Sequence, residues 1–71
     1  MLAENSRIIL IKEKIRERRE YLNYTQQYVA GKLKITQNAY SKIECGQIKI
    51  NVQRLYEIAS ALETDIMQLL V

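Results

Sequence analysis

Apolar residues recur along this chain at helical spacing and predict an array of helices. Ile8, Ile11, Ile15 and Leu22 form one stripe of a first helix over residues 7–22, with Lys12, Glu13, Arg16, Glu17 and Glu20 facing outward. The run Ile8-Ile9-Leu10-Ile11 is apolar all round, which fits either a deeper core or a partner surface. Asn23 closes this helix, because asparagine tolerates the left-handed conformation found at such ends.

From Tyr24 to Gln47 the pattern shortens into two helices joined by a tight turn. Val29, Ala30 and Leu33 repeat at i, i+1, i+4, and Tyr40 and Ile43 at i, i+3, with Ile35 pointing inward from the turn. Thr25 and Thr36 each precede a helical stretch and supply N-caps. On the outer face of the second helix lie Thr36, Gln37, Asn38, Ser41 and Lys42, none of them large and apolar. Gly46 marks the end of that helix and a reversal of the chain.

Asn51 caps a further amphipathic helix with Val52, Leu55, Ile58, Ala59 and Leu62 inward. Asp65, with Gln68 three residues on, reads as a capping box for a last short helix, Ile66 to Leu70. Ile66, Met67, Leu69, Leu70 and Val71 make this end more apolar than one core can absorb. The five helices and the absence of proline predict an all-α fold in one domain, residues 1–71, with a flexible lead-in over 1–6, the two-helix motif over 25–44 and the C-terminal helix over 65–71.

Composition narrows the chemistry. The 71 residues hold no histidine and one cysteine, Cys45, which excludes an intramolecular disulfide, cannot make a zinc site without other ligands and has no histidine to activate its thiol. Paired carboxylates and glycine-rich phosphate loops are missing too, so no catalytic residue, metal or cofactor is expected and the chain does not read as an enzyme. Tyr40 and Tyr56 fall at core spacing, which favours packing over base stacking. The net charge is +3, but residues 1–50 carry ten Lys/Arg against five Asp/Glu, while residues 51–71 carry one against three. A basic body meeting a polyanion and an acidic, self-associating tail is one reading, and ordinary charge scatter is the other. No stretch approaches the length of a membrane span, and Glu4 makes the start unlike a secretory signal, so the cytoplasm is expected.

The pieces TQQYVAGKL, ITQNAYSKIE and LYEIASAL resemble the Cro and phage-repressor-like (Xre-type) helix-turn-helix domains, and the resemblance runs from about Ile11 to Leu70. It implies a five-helix helix-turn-helix domain of the lambda-repressor-like type. It also implies a partly buried ion pair between Arg19 and Glu44 that ties the motif to the first helix. Three positions depart from the family pattern. Lys34 and Glu63 stand where glycine is usual, so Lys34 carries the strain of a left-handed turn residue with a Cβ. Arg18 stands where leucine is common, with its stem on the core edge and its head in solvent.

The resemblance implies double-stranded DNA as the partner. Gln37 and Asn38 suit adenine N6 and N7, Lys42 suits guanine O6 or N7, and the Thr36 methyl suits that of thymine, with Ser41 on the same major-groove face. Gln26, at the start of the first motif helix, and Gln47 and Lys49, in the following loop, are placed to hold phosphates. Ile66, Met67, Leu69, Leu70 and Val71 are the expected homodimer interface, with Ile9–Leu10 as another possibility. The whole reads as a repressor binding a palindrome, with no small-molecule ligand. The alternative is a helical protein-interaction module with the same fold, such as an antitoxin or a subunit of a larger regulator.

Overall fold

A computed structural model describes the backbone of residues 2–71 and the side chains of residues 11–71. Among the described residues there are five helices and no strand: α1 Leu2–Tyr21, α2 Gln26–Leu33, α3 Gln37–Glu44, α4 Val52–Ala61 and α5 Ile66–Leu70. Helix α1 begins ahead of the expected residue 7, since Leu2, Ala3 and Glu4 are good helix formers and no glycine or proline interrupts them. Met1 and the side chains of the Ile8–Leu10 run lie outside the described residues.

All four N-caps form at the residues the sequence marks. Thr25 Oγ1 accepts from the Tyr28 amide at 3.0 Å and Thr36 Oγ1 from Ala39 at 3.1 Å. Asn51 Oδ1 accepts from Arg54 at 2.7 Å and Asp65 Oδ1 from Gln68 at 3.2 Å. Each bond satisfies one of the orphan donors of a first turn.

The helix ends share one solution as well. Asn23, Lys34, Gly46 and Glu63 all have left-handed backbone, with φ of 60°, 60°, 76° and 58°. After each, the next amide donates to the carbonyl five residues back: Tyr24 to Arg19, Ile35 to Ala30, Gln47 to Lys42 and Thr64 to Ala59. That is the Schellman closure, made three times here without glycine.

Helix α1 packs against α5 and α3, α2 against α3 and α4, and α4 against α5. Their shared core is Ile15, Val29, Ala30, Tyr40, Ile43, Leu55, Ile58, Ala59, Ala61, Leu62 and Leu69. Two inward expectations are corrected on α4. Val52 and Tyr56 are exposed, and with exposed Ser60 they form an i, i+4, i+8 stripe on the face away from Leu55, Ile58 and Leu62. A third correction concerns α5. Leu69 is 1% exposed and belongs to the core, while Met67, Leu70 and Val71 are 57%, 46% and 68% exposed. Ile66 is half-buried against the core, so only one side of this short helix is left uncovered.

Candidate nucleic-acid interface

Helix α3 is divided cleanly by its periodicity. Tyr40, Ile43 and Glu44 are buried, whereas Gln37, Asn38 and Lys42 are exposed and Ser41 is half-buried on the same outer side. Thr36 is exposed too; its hydroxyl oxygen accepts from the Ala39 amide, which leaves the methyl and the hydroxyl proton for a ligand. Lys34, with φ 60° and ψ 39°, makes the turn that sets α3 against α2. After α3, Gln47 and Lys49 are exposed on the loop that leads to α4.

The pair beneath this face is a two-pronged bond. Arg19 Nε donates to Glu44 Oε2 at 2.7 Å and Arg19 Nη2 to Glu44 Oε1 at 3.1 Å. The same guanidinium donates through Nη1 to the Tyr24 carbonyl at 2.9 Å, closing the end of α1. Only 13% of the Arg19 side chain and 3% of that of Glu44 reach solvent. The hydrogen bond to Glu44 raises the Arg19 pKa above its ordinary value, against the effect of burial. Burial works to raise that of Glu44, but the bonds from Arg19 and Gln26, aided by Tyr40, outweigh it and hold the carboxyl below its ordinary range. The Tyr40 hydroxyl is buried without a partner at hydrogen-bond geometry, so its influence on Glu44 is electrostatic rather than that of a formed bond. Burial, then the carboxylate, pushes the Tyr40 pKa above the ordinary phenol range.

Gln26 joins this group. Its Nε2 donates to Glu44 Oε1 at 3.1 Å, so part of the expected phosphate-holding amide is engaged inside the domain. That link joins the start of α2 to the end of α3, and the spacing of apolar residues carries no trace of it.

A second set of cations closes the end of α4, which has no basic residue in its own last turn. Arg18 donates from Nε to the Leu62 carbonyl and from Nη2 to the Glu63 carbonyl, both at 2.9 Å. Its head therefore sits on the helix terminus, not free in solvent as expected. Lys32 Nζ donates to the Ala61 carbonyl at 2.9 Å and lies 3.6 Å from the Glu63 carboxylate. The positive charges oppose the negative end of the α4 dipole and fill its orphan acceptors. Lys12 reaches the Cys45 carbonyl after α3 at 3.4 Å in the same way.

No helix among the described residues is long and apolar enough to cross a membrane. Nor do those residues bring together three or more His, Cys, Asp or Glu side chains that could hold a metal ion. The sequence matches the helix-turn-helix family over residues 15–69. The chain belongs to the Cro and phage-repressor-like, Xre-type helix-turn-helix family. No curated protein and no solved structure matches it. The match runs from Ile15 in α1 to Leu69 in α5 and so touches all five helices, and the fold is the lambda-repressor-like one. Its members are DNA-binding regulatory domains, and this chain is a helix-turn-helix domain of that kind.

Proposed function

We propose that this helix-turn-helix domain is a sequence-specific transcriptional repressor that binds a palindromic operator as a homodimer, in the cytoplasm. The observation that carries the reading is the outer face of α3, polar and uncharged to basic throughout, set on a buried ion pair. Gln37 and Asn38 each offer the paired donor and acceptor that adenine presents at N7 and N6. Lys42 donates to guanine, Ser41 to either kind of base edge, and Thr36 places its methyl against thymine. Gln26, Gln47 and Lys49 flank this face from α2 and the following loop and hold the backbone in register.

One short recognition helix meets too few base pairs to single out a site in a genome. Two copies related by a dyad would place their α3 helices roughly 34 Å apart, one turn of duplex. Met67, Leu70 and Val71, with the exposed part of Ile66, form the surface that such a dimer would cover, and Leu69 supports it from the core. Selection of duplexes from a random pool, followed by mobility-shift titration, tests the reading directly. A palindrome should emerge, and failure to enrich any sequence over random DNA would rule the proposal out.

A further inference from the structure

The amide of Gln26 has two orientations, one presenting nitrogen and the other oxygen to any given neighbour. Here the neighbour is a carboxylate, which only accepts, so the nitrogen must face it. Glu44 is itself almost wholly buried and held by both prongs of Arg19. The Gln26 nitrogen carries a second hydrogen that meets no acceptor among the described residues. Gln26 is also the first residue of α2, where amide hydrogens without intrahelical acceptors gather.

We infer that Glu44 is a positioning residue for DNA binding: it fixes the Gln26 amide so that its second hydrogen is offered to a backbone phosphate. The inference rests on the reading of Gln26 as a phosphate-holding residue. Freed from Glu44, the glutamine would sample several rotamers and both amide orientations, including those that turn its oxygen toward an anionic oxygen. Ordering such a side chain on binding weakens the complex, and prior ordering removes that cost. Glu44 can do this next to a polyanion because Arg19 already neutralises it.

The test is a double-mutant cycle read in DNA affinity, with Q26A, E44Q and the combination titrated on a selected operator and on random duplex. Measurements are made at a temperature where circular dichroism shows each variant folded. Q26A should weaken binding to both duplexes alike, by about tenfold or more for one hydrogen bond to a charged oxygen. Because glutamine is neutral, the salt dependence of binding should not change. E44Q should weaken binding by a similar factor in the wild-type background and less than about twofold once Gln26 is gone. An equal loss in both backgrounds means that Glu44 acts through the fold alone; it overturns the positioning role and leaves the phosphate role of Gln26 standing. Wild-type affinity in Q26A removes the phosphate role and the positioning role together. Should E44Q fail to fold, the wild-type protein supplies a second measurement: its Gln26 side-chain amide should show one proton protected from solvent exchange. Two equally fast-exchanging protons would overturn the inference.

Discussion

Arg19 and Glu44, 25 positions apart, meet in a two-pronged hydrogen bond of 2.7 and 3.1 Å that is nearly closed to solvent. Breaking it from one side strands the other charge, which costs about 3–5 kcal/mol at the buried limit. Arg19→Met and Glu44→Gln should each lower the melting temperature, the arginine change also freeing the Tyr24 carbonyl. The double variant should lose less than the two singles combined. Additive losses in a thermal-melt cycle would show that the two side chains act independently.

The same carboxylate sets an acid limit. The pKa of Glu44 is lower in the folded protein than in the unfolded chain, where a glutamate titrates near about 4.3. Its stabilisation is therefore complete above that value and is lost as pH falls through the folded pKa. Urea unfolding of the wild type should lose stability below about pH 4, and E44Q should show a flatter profile over that range. At the alkaline end the sign reverses. The hydrogen bond to Glu63 pushes the Tyr24 pKa up to about 12, so the neutral phenol favours the folded state. That contribution is present below the unfolded tyrosine value of about 10 and fades toward the folded one. Tyr24→Phe should remove part of the alkaline loss; an unchanged profile would assign it to the more deeply buried Tyr40.

How far the chain could be read follows from the range of each interaction. Caps and left-handed ends are local, and Thr25, Thr36, Asn51, Asp65, Asn23 and Gly46 announce them by residue type. The Arg18 bonds span 44 and 45 positions and join a side chain to backbone carbonyls that every residue possesses. No pattern of residue types marks such a pair. Periodicity also fails where apolar residues outnumber core places. Val52 and Tyr56 fit one helical face as well as Leu55 and Ile58 fit another, and only the position of the neighbouring helices decides. The same holds for the expected interface at the C-terminus, where Leu69 faces the core and Leu70, one residue on, does not.

Lys34 offers a local stability test. Its left-handed backbone brings a Cβ into a region that glycine occupies freely. Lys34→Gly should stabilise the domain by about 1 kcal/mol, and Asn23→Gly much less, since asparagine already tolerates this region. Gly46→Ala should do the reverse, because its φ is +76° and the added Cβ would lie 3.1 Å from Lys12 Cδ. Differential scanning calorimetry resolves these shifts, and a destabilised Lys34→Gly variant would mean that the turn is not strained.

Reading and holding should separate in binding measurements. Gln37→Ala should cost about 1–3 kcal/mol on the selected operator and relax preference at one or two base pairs. Lys49→Ala should weaken binding to all duplexes alike and reduce the salt slope by about one unit. Equal losses on specific and random DNA in both variants would mean that Gln37 does not read bases.

Two adjacent leucines give the sharpest test of the dimer. Leu70 is 46% exposed and Leu69 only 1%, so an aspartate at the two positions should do different things. At Leu69 it would bury a charge in the core between α5 and its neighbours and should unfold the domain. For Leu70→Asp the domain should remain folded by circular dichroism, because the change falls on the outer side of α5 with Met67 and Val71. In sedimentation it should convert a dimer at micromolar concentration into a monomer. Operator binding should then fall to the level of a single half-site, since tight binding needs both copies on one face of the duplex. Deleting the last five residues is a poorer probe, because it removes Leu69 along with the exposed surface. A wild-type protein that sediments as a monomer both free and on its selected palindrome would exclude the dimer, and with it the use of Met67, Leu70 and Val71 as an interface.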